Sequence, residues 1–188
     1  MKQKIRFLTF TLTLILTVTI CFSYNIHIAH ADTNNSKIHF ITLPGNSDAI
    51  VLESNGKFGM VDSGEDWDYP DGSESIYPFR PGIVTNAGYE DRVIEYLNSI
   101  GVNSNNFEFY IGTHPHSDHI GSADEIIKAF HPKRVYIQDY KDSYINNSGR
   151  LWDNLYVYDH MVEAAQETGS TLIQFFLMMH PCIPKLFP

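Results

Sequence analysis

Cysteine is scarce in this chain, and basic residues are scarce once the N-terminus is set aside. The cysteines are Cys21 and Cys182 alone, so Cys182 has no intrachain partner if the N-terminal segment is removed. Beyond Ala31 the chain has 10 basic and 22 acidic residues, a formal charge of −12. A chain with this excess of acidic residues lacks the basic surface that binds nucleic acid. A hydrophobic content of 43% is too high for a disordered chain.

The first 31 residues have the three-part pattern of an export signal. A positive segment (residues 1–6) precedes an apolar one (residues 7–22), and Ala-His-Ala at 29–31 suits a signal peptidase. An uncut membrane anchor is the alternative, but the apolar run is short and rich in threonine. A lipoprotein is disfavoured because Ile20, before Cys21, is bulky. We therefore predict a signal peptide and a secreted, extracellular protein, with cell-surface association left open and no stable membrane span after cleavage.

The remaining residues predict one α/β domain over residues 32–174. Strands are predicted where apolar runs lie between turn residues, namely 38–43, 49–53, 58–61, 107–111, 134–137 and 171–173. Helices are predicted over residues 90–100, from Ser122, where Glu125 completes a capping box, and over residues 154–167. Residues 175–188 show neither the helical nor the strand periodicity of apolar residues, and they form an atypical tail. The long loop at residues 64–82, rich in glycine, proline and aromatics, indicates a functional role or a cover for a site.

Three imidazoles and a carboxylate lie within six residues between a predicted strand and the helix at Ser122. The segment is His114-Pro-His116-Ser-Asp118-His119. Imidazole nitrogen and carboxylate oxygen are ligands of zinc and related cations, and an open coordination position lets the cation activate water. The alternative is a polar loop whose histidines cluster by chance. The spacing favours a metal site formed by these four residues.

This segment resembles the HxHxDH signature of the metallo-β-lactamase-fold hydrolases, and Asp62-Ser-Gly64 resembles their earlier Asp-x-Gly. The resemblance implies a four-layer αββα sandwich with one or two zinc ions. It implies that His114, His116 and His119 hold the first ion, and that Asp118 binds the second and orients the attacking water. Asp62 would support the ligand loop through hydrogen bonds. An ordinary Asp-Ser-Gly turn is the alternative for Asp62.

Four strings more specifically resemble the catalytic domains of the pneumococcal phosphorylcholine esterases, which act on teichoic acid. They are LPGNSDAIVLESNG, VDSGEDWDYPDGSES, THPHSDHIGSADE and GRLWDNLYVYD. The resemblance implies hydrolysis of a phosphodiester. Aromatic faces bind quaternary ammonium groups, so Trp67, Tyr69 and Trp152 are candidate substrate-binding residues, and Arg80 is a candidate contact for phosphate. Core packing of the aromatics and a solvated Arg80 are the alternatives.

The family pattern also requires two later histidines and a bridging aspartate, for which this sequence has no convincing candidates. His180 lies in the atypical tail and His160 lies within a predicted helix. We therefore expect an incomplete second metal site, a C-terminally truncated domain and self-association through uncovered apolar surface. Two rival functions remain open. One is a hydrolase with another ester or a lactam as substrate, and the other is a catalytically impaired secreted fragment that binds metal and choline-like ligands.

Overall fold

A single mixed sheet of six strands organises the protein. The computed structural model describes residues 35–45, 47–77, 79–84, 87–141 and 151–175, with side chains in the last range from residue 155 onward. The strands are β1 (Ser36–Phe40), β2 (Ala49–Ser54), β3 (Lys57–Ser63), β4 (Phe107–Gly112), β5 (Arg134–Gln138) and β6 (Thr171–Phe175). Their order across the sheet follows their order in the chain.

The sheet changes from antiparallel to parallel at β3. Strands β1, β2 and β3 form an antiparallel meander, whereas the pairs β3–β4, β4–β5 and β5–β6 are parallel. Parallel neighbours require crossovers, and helices provide them. The helices are α1 (Glu90–Ser99), α2 (Ser117–Ile120), α3 (Ala123–Phe130) and α4 (Leu151–Glu167). The predicted α/β fold is confirmed.

The core lies between the helices and one face of the sheet. One cross-strand row on that face is fully buried: Val51, Met60, Tyr110 and Val135. The next row points the other way and is only partly buried: Ile50, Val61, Ile111 and Tyr136. On β1 the same face leaves Ile38 62% and Phe40 72% exposed. Within the described residues, the second face of the sheet therefore remains an apolar surface.

Two predicted details of the elements were wrong. Strand β1 ends at Phe40 rather than residue 43, and the apolar residues Ile41 and Leu43 are buried within the β1–β2 connection. The capping box also does not form: the Ser122 hydroxyl accepts no hydrogen bond from the first turn of α3, and it donates to the Glu65 carbonyl. The four-residue helix α2 was not predicted.

Several predictions concern segments outside the described residues. They are the export signal at the N-terminus, the tail from residue 176 onward with His180, and the side chain of Trp152. Within the described ranges, no helix combines the length and the hydropathy needed to cross a membrane.

Candidate metal centre

The carboxyl ends of β3 and β4 meet at one edge of the sheet, because these neighbours are parallel. Asp62 lies at the end of β3, and Thr113 follows the last residue of β4. The segment from His114 to His119 continues directly from that edge into α2. The topology therefore brings the two sequence motifs, which lie about fifty positions apart, into contact.

Asp62 is buried and binds the ligand segment through both carboxylate oxygens. Oδ1 accepts the backbone N–H of Thr113 at 2.8 Å, and Oδ2 accepts the Thr113 hydroxyl at 2.8 Å. Oδ2 also lies 2.8 Å from Nδ1 of His119. Asp62 has a φ of +55°, a left-handed conformation that aspartate tolerates better than most residues. This is the contact pattern that the predicted supporting role requires.

The structure brings His114, Asp118 and His119 together. One potential ligand atom from each lies within 4.8 Å of the others. The Nε2 atom of His119 lies 3.7 Å from Oδ2 of Asp118. Because Nδ1 of His119 faces Asp62, Nε2 is the ring nitrogen that lies on the side of Asp118 and is available to a cation.

His116 is placed somewhat differently from its predicted partners. Its ring centroid lies 4.6 Å from that of His114, but it is not among the three residues that share the 4.8 Å limit. His116 is exposed and precedes the first residue of α2. Its role as a ligand stays a prediction.

These residues fit a divalent cation. Burial and the neighbouring His119 and His116 lower the pKa of His114, which keeps its imidazole neutral and able to donate a lone pair. Two imidazoles and one carboxylate match the donor preferences of zinc and of related transition metals. The ring orientation of His119 is fixed by Asp62, as in many metal sites that use a carboxylate behind the ligating histidine.

The loop after β3 lies against the ligand segment. The Gly64 N–H donates to the His119 carbonyl at 3.2 Å, and the Ser122 N–H donates to the Gly64 carbonyl at 3.1 Å. Trp67 and Tyr69 follow in the same loop, and each is 36% exposed. The predicted aromatic residues therefore belong to a loop whose first residue, Gly64, contacts the ligand segment.

One face of each of these two rings is already covered. The guanidinium of Arg80 lies 4.9 Å from the centroid of the Trp67 ring. Tyr69 stacks on Tyr156 with centroids 5.7 Å apart. Tyr156 is itself buried in α4. A cationic ligand would use the remaining face of Trp67 or Tyr69.

Arg80 is not a solvated charge. Its side chain is 4% exposed, and Nη2 lies 2.9 Å from Oε1 of Glu65. Nη1 donates to the carbonyls of Asp66 and Tyr69. These contacts hold the loop closed, and they favour a structural role for Arg80 over contact with a phosphate group.

The sequence did not show that two carboxylates of this loop lie close to a carboxylate of α1. Potential ligand atoms of Asp66, Asp68 and Glu90 lie within 4.8 Å of one another. Burial raises the pKa of Asp66, as does the adjacent Asp68. Burial also raises the pKa of Glu125, as does the adjacent Asp124. The sequence signal was the acidic run in the loop, which gives no indication of burial.

One comparison with known proteins identifies the family of this chain. The family model of the metallo-β-lactamase superfamily matches residues 42–175. The chain belongs to the metallo-β-lactamase superfamily. The search among curated proteins found no match. A crystal structure of a candidate metallo-β-lactamase from Thermotoga maritima is similar with a TM-score of 0.41 and 12% identity, covering 75% of this chain. The matched region spans 59% of that chain.

Membership in this superfamily makes a metal-dependent hydrolase the activity to propose for this chain. The predicted site is on the edge of the sheet where the described His and Asp side chains converge. The family model identifies the superfamily and specifies neither the substrate nor the metal.

Proposed function

We propose that this protein is an exported zinc-dependent phosphodiesterase that removes phosphorylcholine from ester-linked polymers such as teichoic acid. The observation that carries the proposal is the convergence of His114, Asp118 and His119 beside Asp62. Support for the choline-like part of the substrate comes from the bordering aromatic loop. Support for export comes from the N-terminal sequence pattern.

Each residue of the centre has a separate task in this proposal. His114, Asp118 and His119 would hold the cation, and His116 would join them. A bound divalent cation supplies a Lewis acid for the phosphoryl oxygens and lowers the pKa of water. Asp118 is 39% exposed, so its carboxylate can also hold the attacking water by a hydrogen bond. Asp62 orients His119 and remains out of contact with substrate because it is buried.

The loop at residues 64–82 would select the choline group. Quaternary ammonium is attracted by aromatic faces and by negative potential. Tyr69 supplies an accessible ring, and burial raises the pKa of its phenol together with the charges of Asp68 and Asp71. The phenol therefore stays neutral, and the same carboxylates supply the negative potential that a cationic headgroup would meet.

Metal uptake is the first test. His114→Ala, Asp118→Ala and His119→Ala should each lower zinc affinity at least a hundredfold, measured by equilibrium dialysis with elemental analysis. His116→Ala should also lower it if the ring joins the centre. His131→Asn is the matched control, because His131 is exposed, lies outside the centre and has a left-handed φ of +49° that asparagine adopts.

Substrate selection is the second test. With p-nitrophenyl phosphorylcholine as substrate, Trp67→Ala and Tyr69→Ala should raise KM about tenfold. With bis(p-nitrophenyl) phosphate, which lacks the cationic group, they should leave KM nearly unchanged. Turnover of a chromogenic β-lactam in place of both phosphodiesters would support a lactam hydrolase. Binding of phosphorylcholine without turnover would support a binding protein.

A further inference from the structure

The connection between β1 and β2 contacts the metal centre, although neither motif includes it. The backbone N–H of Asp48 donates to the carbonyl of Asp118 at 3.2 Å. The Ser47 hydroxyl accepts the N–H of Glu65 at 3.3 Å. Leu43 lies directly against Gly64. The connection is therefore attached to both segments that form the centre.

The side chain of Asp48 faces the same histidine that Asp62 orients. Its Oδ2 lies 3.8 Å from Nδ1 of His119, whereas Oδ2 of Asp62 lies 2.8 Å from that atom. The longer distance is an electrostatic contact and not a hydrogen bond. The Asp48 side chain is 60% exposed and that of Asp62 is 4% exposed. Nδ1 of His119 thus faces both a buried carboxylate and a solvent-facing carboxylate.

We propose that Asp48 is a further positioning residue of the metal centre, which favours cation binding through its charge and fixes Asp118 through its backbone N–H. The inference rests on the proposed metal centre. The Asp48 charge adds to the negative potential around His114, Asp118 and His119 from the solvent side. It also makes the His119 ring a better donor, as carboxylates next to ligating histidines do.

The two contributions of Asp48 can be separated by substitution. Asp48→Asn removes the charge and keeps the backbone N–H that binds the Asp118 carbonyl. Asp48→Glu keeps the charge. A nearby unit charge in a water-like environment changes the affinity for a divalent cation about three- to tenfold. Because Asp48 is exposed, salt should screen this effect.

Cobalt titration followed by d–d absorption is the experiment, because its readout is independent of activity. At low ionic strength, Asp48→Asn should bind cobalt three- to tenfold more weakly than the unsubstituted protein, and the difference should shrink below twofold in 1 M NaCl. Asp48→Glu should restore most of the affinity. Asp91→Asn is the matched control, because Asp91 is exposed on α1 and its substitution removes the same charge.

The outcomes separate this inference from the proposed function. An Asp48→Asn affinity equal to that of Asp91→Asn would overturn the role of Asp48 while leaving the metal centre intact. An equal loss of cobalt affinity in Asp48→Glu would show that the size of the side chain and not its charge matters. That result would also overturn the inference. Absence of cobalt uptake by the unsubstituted protein would overturn the proposed function itself.

Discussion

Oδ2 of Asp62 accepts a hydrogen bond from Nδ1 of His119 over 2.8 Å, although 57 positions separate them in the chain. The same carboxylate accepts two hydrogen bonds from Thr113. The centre is therefore supported by a buried acceptor that the fold itself supplies.

Asp62→Asn should weaken both stability and cation affinity. An amide has one acceptor oxygen in place of two, so at least one of the three donors is left without its partner. We expect a loss of about 2 kcal/mol in the free energy of unfolding and about a 10- to 100-fold loss of cobalt affinity. Urea denaturation and cobalt titration measure the two effects. Unchanged cobalt affinity in a folded variant would show that Asp62 does not orient His119.

The carboxyl groups of Asp66, in the loop, and Glu125, in α3, should make stability depend on pH. Burial raises the pKa of Asp66 and of Glu125 above the ordinary carboxyl range, so the folded state keeps protons that the unfolded state releases. The contribution of these two groups to stability is therefore greatest below the unfolded pKa of about 4. It falls as the pH rises toward the raised values, by up to about 1.4 kcal/mol per pH unit for each group.

Asp66→Asn tests this dependence, because the neutral amide oxygen can still accept the N–H of Asp68. The variant should be more stable than the unsubstituted protein at pH 8 and should have a flatter stability profile between pH 5 and pH 8. Asp91→Asn, which removes an exposed charge, should keep the original profile. Parallel profiles for the unsubstituted protein and Asp66→Asn would contradict the prediction. Urea midpoints across this pH range provide the measurement.

Arg80→Met should destabilise the loop. Removing the guanidinium leaves the Glu65 carboxylate, which is 8% exposed, without its ionic partner. Loss of one partner of a buried pair costs about 3–5 kcal/mol. Limited proteolysis within residues 64–82 should accelerate, and the urea midpoint should fall. Arg92→Met is the control, because Arg92 is exposed and its long contact is with the Thr42 carbonyl. Equal proteolysis rates for both variants would refute the structural role of Arg80.

The apolar face of the sheet should promote self-association. Ile38 and Phe40 are the most exposed side chains on that face. Replacing both with threonine retains strand propensity and should lower the sedimentation coefficient and the binding of a hydrophobic dye. Val84→Thr is the control, since Val84 is 56% exposed but lies outside the sheet. Identical sedimentation of all three proteins would argue against this surface as the cause.

The sequence was sufficient for the order of the strands and of the three longer helices, because its apolar runs and turn residues are clear. It also indicated His114, Asp118 and His119, since their spacing is compact and local. It did not indicate Asp48, whose contact with His119 depends on the path of the β1–β2 connection. Nor did it show that Arg80 is buried, because a charged residue in a polar loop resembles a solvated one until the loop is seen to fold over it. Ser122 shows a similar limit. The capping pattern was present, but the Ser122 hydroxyl donates to the Glu65 carbonyl and does not cap α3.

The parallel pairing of Val61 with Ile111 fixes the relative positions of the two halves of the metal centre. If β4 slipped by one residue along β3, Thr113 would move about 3.3 Å from Asp62, and alternate side chains would exchange faces. Both hydrogen bonds from Thr113 would then be lost. Cation affinity therefore acts as a reporter of correct strand alignment, and a misaligned chain would reveal itself by failing to take up metal.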